Sequence, residues 1–203
     1  MSNVLDEVVE GFDPMPELLS VMTSSNNPVL LGLDIGTSGV RAALFDERGV
    51  EVAGSSVRIN SRGPSLLDTG AISGDLLLNQ VVEAIDEVIA NIYDPATRIE
   101  LISVACFWHS LIGIDAEGAP TTPLMTWADT RAAQFAKNLR TQFNESEIHS
   151  RTGSRFHPSY WPAKLLWLKN EHGEKFRSIR CWLGFAEYLC LRLFGEIATS
   201  VSM

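Results

Sequence analysis

Two short segments of the sequence combine chemically useful residues with the strand ends and glycines that would present them. The first is DIGTSG, in which Asp34 follows an apolar run and leads into a loop of Gly36, Thr37, Ser38 and Gly39. Glycine lets the backbone approach a ligand closely, and consecutive N–H groups in a tight turn form a concave anion site. With the cation of Arg41 nearby, this segment is suited to hold nucleotide phosphates, with Asp34 binding magnesium directly or through water.

The short motif leaves a structural alternative open. It is neither the G-x-x-x-x-G-K-[ST] phosphate loop nor the G-x-G-x-x-G dinucleotide motif. Turns of Gly, Ser and Thr between strands are common. The segment therefore also fits an ordinary hairpin with a solvated aspartate.

The second segment, Ile102 to Ala133, offers groups that suit a hydroxylated ligand. Trp108 and His109 directly follow an apolar run, and W-x-D-x-R comprises Trp127, Asp129 and Arg131. Such a ligand needs directional donors and acceptors beside a flat apolar wall. Three of these residues also have ordinary structural interpretations. His109 can be a partly buried imidazole with its hydrogen bonds made, Asp129 can be a helix N-cap, and Arg131 can be a surface charge. Their joint occurrence favours a binding site.

The elements that would position these segments are those of an α/β fold. Apolar runs predict strands at Val29–Leu33, Val40–Phe45 and Val50–Ile59, forming an antiparallel meander followed by a loop at Asn60–Gly70. Ser73 caps an amphipathic helix that ends at Asp94-Pro95, and the strand after it, Ile99–Phe107, should lie parallel to its neighbour. Trp108 and His109 then lie at the carboxyl end of a sheet, where α/β proteins place ligands. Further helices are predicted at Asp129–Phe143, Pro162–Glu171 and Cys181–Phe194.

Composition narrows the classes of partner. The chain has 203 residues, 45% of them hydrophobic, and can bury a core, while its net charge of -9 argues against nucleic acid or an anionic membrane. No apolar run approaches the ~18 residues of a membrane span, and no secretion signal is present, which predicts a cytoplasmic protein. Cys106, Cys181 and Cys190 lack zinc or disulfide spacing. Residues 1–28 are acidic and Ser/Asn/Pro-rich, and we expect them to form an extension or linker.

Four longer stretches carry a resemblance to a known family. LGLDIGTSGVRAALFDERG, HSLIGIDAEGAPTTPLMTWADTRAA, RTGSRFHPSYWPAKLLWL and EYLCLRLFGEIATSVSM resemble, in order, the amino-terminal half of the FGGY carbohydrate kinases. The resemblance runs from about Val29 to the last residue. The combination of H-S-L, T-W-A-D-x-R, and R-T-G followed by H-P and a later Pro and Lys is most similar to the gluconokinase branch, with the xylulokinases next.

This resemblance implies a fold, cofactors and residue roles. The fold would be a ribonuclease H-like lobe of the actin/hexokinase type, with a mixed sheet, flanking helices, and ATP with Mg2+ in a cleft between two lobes. Asp34 would lie near magnesium and the transferred phosphoryl group. The first phosphate loop would comprise Gly36, Thr37, Ser38 and Gly39, with Arg41 also facing the phosphates. The sugar pocket would comprise Trp108, His109, Trp127, Asp129 and Arg131, with His157 on a neighbouring loop. If D-gluconate is the substrate, Arg131 or His109 is a fitting partner for its carboxylate.

Two departures from the family pattern keep a rival interpretation open. Where many relatives have G-W-x-E-x-D, this chain has GAISGD from Gly70 to Asp75, without the Trp and Glu. The family also continues beyond Met203, so we expect residues 29–203 to be the substrate-side lobe, without the general base or adenosine site, and inactive by themselves. The rival is a non-catalytic domain that binds sugar or nucleotide. The sequence also leaves a homodimer open.

Overall fold

The structure, a computed structural model, describes residues 27–62, 70–92 and 97–199. Its strands are β1 (Asn27–Gly36), β2 (Gly39–Phe45), β3 (Val57–Asn60), β4 (Ala71–Ile72), β5 (Thr97–Cys106), β6 (Ile112–Ile114), β7 (Leu124–Met125) and β8 (Cys181–Leu183). Its helices are α1 (Gly74–Ala90), α2 (Ala133–Gln142), α3 (Glu145–Thr152), α4 (Trp161–Glu171), α5 (Gly173–Ser178) and α6 (Phe185–Phe194). Most of the expected extension at 1–28, most of the loop at 60–70 and the Asp94-Pro95 turn lie outside the described residues.

A four-stranded mixed sheet forms the centre of the fold. Its strand order is β3-β2-β1-β5, with β1 antiparallel to β2 and parallel to β5. Helix α1 provides the crossover between β3 and β5, which confirms the predicted parallel pairing. Two smaller antiparallel pairs, β4 with β7 and β6 with β8, lie outside this sheet.

One face of the central sheet packs against helices. Alternate residues of β1, Leu31, Leu33 and Ile35, are buried in one hydrophobic cluster with residues of α1 and α6. Ser73 caps α1 as predicted, since its hydroxyl accepts a hydrogen bond from the Leu76 N–H at 3.2 Å. The residues between the buried ones in β1, including Asp34, therefore face away from this core.

Two predicted elements differ from the structure because of interactions beyond their own segments. The third strand is β3 alone, because the chain turns inside the predicted strand: the Ser55 N–H donates to the Val52 carbonyl oxygen at 3.1 Å, and the Ser55 hydroxyl accepts from the Leu44 N–H of β2 at 2.9 Å. The last predicted helix is divided, because Cys181–Leu183 pairs with β6 and the helix begins at Phe185. Of the helices within the described ranges, none is long and apolar enough to cross a membrane.

Gly39 is required by the packing of β2 against β3. Its φ is +146°, and a Cβ atom there would lie 2.2 Å from the carbonyl oxygen of Ile59. That oxygen belongs to the paired strand and cannot move without breaking the sheet.

We therefore expect Gly39→Ala to lower the free energy of unfolding by about 3 kcal/mol or more, through steric overlap and backbone strain. Gly49→Ala is the matched control: its φ is also positive, at +75°, but nothing lies within 4 Å of an added Cβ. That variant should lose only about 1 kcal/mol. Urea unfolding measures both, and equal losses would contradict the packing argument.

Candidate active site

The DIGTSG segment forms a hairpin at one end of the central sheet. Gly36 pairs with Gly39, so Thr37 and Ser38 occupy a two-residue turn. Across the hairpin, Nη1 of Arg41 lies 3.2 Å from Oδ2 of Asp34, and both side chains are 56% exposed. An ion pair this exposed contributes at most about 1 kcal/mol, so a ligand can separate it at little cost. Asp34 is then available to a cation and Arg41 to an anion.

The residues present fit a magnesium–phosphate group. Mg2+ typically binds through one or two carboxylates plus phosphate oxygens and keeps several waters. Asp34 supplies an accessible carboxylate, and the two hydroxyl residues of the turn, Thr37 and Ser38, lie beside it in the chain. Within the described ranges, no group of three or more His, Cys, Asp or Glu side chains could hold a metal by itself. The single accessible carboxylate of Asp34 suits a cation that arrives with a phosphate ligand.

The two glycines of this loop differ in what surrounds them. Gly39 is constrained by β3, whereas the nearest atom to a Cβ at Gly36 would be the Gly39 carbonyl oxygen, at 3.5 Å. A Cβ at Gly36 would thus make an ordinary van der Waals contact, so the backbone is less enclosed there than at Gly39 and a ligand can approach it more closely.

Trp108 and His109 lie next to this hairpin because of the β1–β5 pairing. Asp34 is paired with Ala105 and Ile35 with Cys106, and the Phe107 N–H donates to the Ile35 carbonyl oxygen at 3.3 Å. The chain then leaves the sheet at the edge where β1 ends. The structure thus brings the two predicted groups, phosphate loop and His109 loop, to one end of the sheet.

His109 has an unusual backbone conformation and an imidazole whose pKa is lowered. Its φ is 63°, and among the described residues it is the one non-glycine residue whose φ is positive. Its ring centroid lies 4.4 Å from that of Tyr160, and the His157 ring is 5.5 Å from the same tyrosine. Burial, and then the charges of Lys164 and His157, lower the pKa of His109. A neutral imidazole offers one donor and one acceptor to hydroxyl groups, which favours a role in polyol binding over carboxylate binding.

Asp129 and Arg131 form a tight ion pair. Arg131 donates from Nε to both carboxylate oxygens of Asp129, at 3.0 and 3.1 Å, and from Nη2 to Oδ2 at 2.5 Å. The guanidinium carbon lies 4.5 Å from the centroid of the Trp167 ring. The Asp129 side chain is 3% exposed and that of Arg131 is 47% exposed. Asp129 thus orients Arg131, whose Nη1 makes no hydrogen bond within the described part of the chain.

Asp129 is not the cap of the following helix. Helix α2 begins at Ala133, and its first turn has no side-chain cap. Oδ1 of Asp129 accepts instead from the Arg131 N–H at 3.0 Å, in a turn before the helix. Trp127, in the same loop, is 43% exposed, and Trp108 is 58% exposed. Both indole rings are therefore available as flat walls for a ligand.

Lys164 is a site residue that its segment alone does not reveal. It lies on α4, only 1% exposed, and Nζ donates to the carbonyl oxygens of His109 at 2.6 Å and Thr126 at 2.8 Å. Burial lowers its pKa to about 8, against the attraction of Asp129. The sequence signals were its place as the later Lys of the family pattern and its position among apolar residues on a helix, and neither shows that it is buried or which groups it binds.

Asp75 and Cys106 have structural rather than chemical roles. Asp75, retained from the family pattern, accepts hydrogen bonds from the Tyr188 hydroxyl at 2.5 Å and from Nη1 of Arg192 at 3.0 Å, joining α1 to α6. Burial, followed by the charge of Glu187, raises the pKa of Cys106 to about 12. That thiol, although it ends β5 beside the site, is therefore not a nucleophile.

Comparison with known proteins agrees with this geometry. The model of the FGGY family of carbohydrate kinases, N-terminal domain, matches residues 29–203. A gluconokinase of Bacillus subtilis (strain 168) is 32% identical over 176 residues, which cover 86% of this chain and 33% of that protein. The chain thus spans about a third of the length of the curated relatives that it matches.

Solved structures of the same family share the fold. A gluconate kinase from Lactobacillus acidophilus superposes with a TM-score of 0.76 at 29% identity, covering 85% of this chain and 34% of that one. A ligand-bound xylulose kinase from Lactobacillus acidophilus gives 0.75 at 30% identity, covering 84% and 34%. The fold is the ribonuclease H-like lobe of the actin/hexokinase type, with a mixed sheet and flanking helices, as predicted. The chain belongs to the FGGY family of carbohydrate kinases.

The buried ammonium of Lys164 predicts a pH-dependent contribution to stability. Its pKa is about 8 in the folded protein and 10.5 in the reference state, so the unfolded chain binds more protons between these values. The contribution of Lys164 to the free energy of unfolding is therefore fully present above pH 10.5, and it is lost as the pH falls through about 8. The charges of Asp129 and Arg131 act on Lys164, and the charge of Lys164 in turn lowers the pKa of His109.

We expect the free energy of unfolding of the wild type to rise relative to Lys164→Met by about 3 kcal/mol between pH 7.5 and 10.5. Methionine keeps the stem and removes the titration. Urea unfolding at several pH values measures the difference between the two proteins, in which other titrating groups cancel. A difference independent of pH would contradict a lowered lysine pKa.

Proposed function

We propose that residues 29–203 form the substrate-side lobe of an ATP-dependent kinase that phosphorylates a hydroxyl group of a sugar or sugar acid. The observation that carries this proposal is the placement of the Asp34 hairpin and the His109 loop at the ends of two adjacent parallel strands. One group suits phosphates with a cation, and the other suits hydroxyl groups. A phosphoryl transfer needs both kinds of site at neighbouring positions.

The chain's own residues have distinct tasks in this proposal. Magnesium and ATP, when bound, supply the γ-phosphoryl group and neutralise its charge. Asp34 would hold the cation, the amides around Gly36 to Gly39 would hold phosphate oxygens, and Arg41 would add a compensating positive charge. Trp108, Trp127 and His109 would orient the carbohydrate and exclude water from its face.

D-gluconate is the substrate we favour, with D-xylulose the alternative. Similarity to gluconokinases and to xylulose kinases supports both. Arg131 favours the acid: its guanidinium is held rigid by Asp129 and Trp167 while Nη1 is left for another acceptor. An ordered guanidinium loses little freedom when it binds a carboxylate. The neutral state of His109 makes it the hydroxyl partner.

A coupled assay of ADP formation, run on the full-length protein with D-gluconate, D-xylulose and glycerol, tests the proposal. We expect turnover with D-gluconate above the other two. The absence of turnover with every polyol, together with measurable sugar binding, would establish the rival function of a non-catalytic binding domain. That rival is favoured by GAISGD, which lacks the Trp and Glu of many relatives.

Asp34→Ala in the full-length protein should reduce turnover by at least about three orders of magnitude, because the cation loses its protein ligand. The thermal midpoint should change little, since Asp34 is exposed and makes only one exposed ion pair. Asp86→Ala, which removes an exposed carboxylate from α1, is the matched control and should keep full activity. Wild-type turnover in Asp34→Ala would remove this residue from the mechanism.

The 203-residue chain by itself should form no ADP in response to D-gluconate. The family resemblance assigns the general base and the adenosine site to residues that this sequence does not include. The same coupled assay, with the full-length protein as positive control, measures this. Gluconate-dependent turnover by residues 1–203 would show that every catalytic group lies within them.

A further inference from the structure

The two loops that carry the candidate sugar-binding side chains are joined by backbone pairing only up to one point. Leu111 and Met125 exchange two hydrogen bonds, of 2.8 and 2.9 Å, between N–H and carbonyl groups. Beyond this pair, towards the candidate site, the next carbonyl groups belong to Ser110 and His109 on one loop and to Thr126 and Trp127 on the other. Carbonyl oxygens cannot bond to one another, so their arrangement requires donors from elsewhere.

One short segment supplies those donors. Nζ of Lys164 donates to the carbonyl oxygens of both His109 and Thr126, at 2.6 and 2.8 Å. Nε1 of Trp161 donates to the Ser110 carbonyl oxygen at 2.8 Å, and the Ser159 hydroxyl donates to the Trp127 carbonyl oxygen at 2.7 Å. We call Ser159, Trp161 and Lys164 the loop clamp. Four carbonyl groups from two loops thus depend on three side chains at the start of α4.

Lys164 is the member of the loop clamp that bonds to both loops. An ammonium carries three protons and can serve two acceptors at once, which a hydroxyl or an indole cannot. Its enclosure, at 1% exposure, strengthens each bond by excluding water. Enclosure also keeps Nζ away from any ligand, so its effect on a bound sugar must act through the loops.

The strained backbone of His109 gives this arrangement a functional consequence. A φ of 63° is sparsely populated by non-glycine residues and persists when neighbouring groups hold it. The carbonyl group of His109 is held by Lys164, and its ring is packed on Tyr160 at 4.4 Å. Without the ammonium, the peptide can relax and the imidazole would move from its position.

Resting on the kinase function proposed above, we infer that Lys164 is a positioning residue that sets the sugar-binding geometry by joining the His109 and Trp127 loops. The phosphate hairpin at Asp34 receives no bond from the loop clamp among the described residues. Loss of the clamp should therefore weaken the binding and alignment of the carbohydrate while leaving the nucleotide side unchanged.

The kinetic test uses Lys164→Met in the full-length protein, with Lys169→Met as the control on the same helix, where the lysine is exposed. We expect the KM for D-gluconate to rise on the order of 10- to 100-fold, with kcat reduced and the KM for ATP within about twofold of wild type. Lys169→Met should match the wild type. Equal increases in both KM values in a folded Lys164→Met protein would overturn the inference, because a general loss of structure acts on both substrates.

Two milder variants serve if Lys164→Met does not fold. Trp161→Phe and Ser159→Ala each remove one donor of the loop clamp and leave Lys164 in place. We expect each to raise the KM for D-gluconate about three- to tenfold with an unchanged KM for ATP. Wild-type KM values in both would overturn the inference.

Hydrogen exchange separates this inference from the kinase proposal. The amide protons of Leu111 and Met125 report on the joint between the loops, and they should exchange at least about tenfold faster in Lys164→Met, or in Trp161→Phe, while amides of β1 and α1 keep their rates. If the full-length wild type phosphorylates none of the three polyols but the variants show this faster exchange, the kinase function is contradicted and the clamp is supported. Unchanged exchange at both amides would overturn the clamp itself.

Discussion

The parallel pairing of β1 with β5 is the constraint on which the candidate site depends. Its register places Asp34 beside Ala105 and brings the chain out of the sheet at Phe107, next to the hairpin. The two-residue period of a strand then sends Asp34 to the face opposite the core, because Leu33 and Ile35 are buried. A shift of one residue would bury the carboxylate. Sheet register thereby decides whether the Asp34 hairpin and the His109 loop lie side by side.

The loops that carry His109 and Trp127 are held by buried polar contacts instead of by pairing between strands. Its loops are irregular between β5 and β6 and after β7, so side chains satisfy their carbonyl groups. Lys164, on α4, donates to two of these carbonyl groups, and Asp129 and Trp167 hold Arg131 from two sides. Burying an ammonium is costly, as its lowered pKa records. Such a cost is tolerated where it fixes a geometry that apolar packing could not specify.

Much of the fold could be predicted because its signals are local. The apolar runs of β1 and β2, the Ser73 cap of α1 and the crossover to β5 are all present in the structure. The errors fall where contacts with other segments override local pattern: Cys181–Leu183 joins β6, and Ser55 accepts a hydrogen bond from Leu44 of β2 in a turn before β3. Local periodicity could not anticipate partners that lie about 70 residues away.

The sequence by itself determined the family, the α/β class and the residue types at the site, because family motifs and hydrophobic periods are written in contiguous residues. Only the tertiary structure decided which of those residues are exposed and which are held by their neighbours. It distinguishes Gly36, where a Cβ would make an ordinary contact, from Gly39, which is held by β3, and it assigns Asp129 to the support of Arg131. It also reveals the burial and the hydrogen bonds of Lys164. The role of Lys164 follows from contacts across 55 and 38 positions of chain, and no local pattern encodes such contacts.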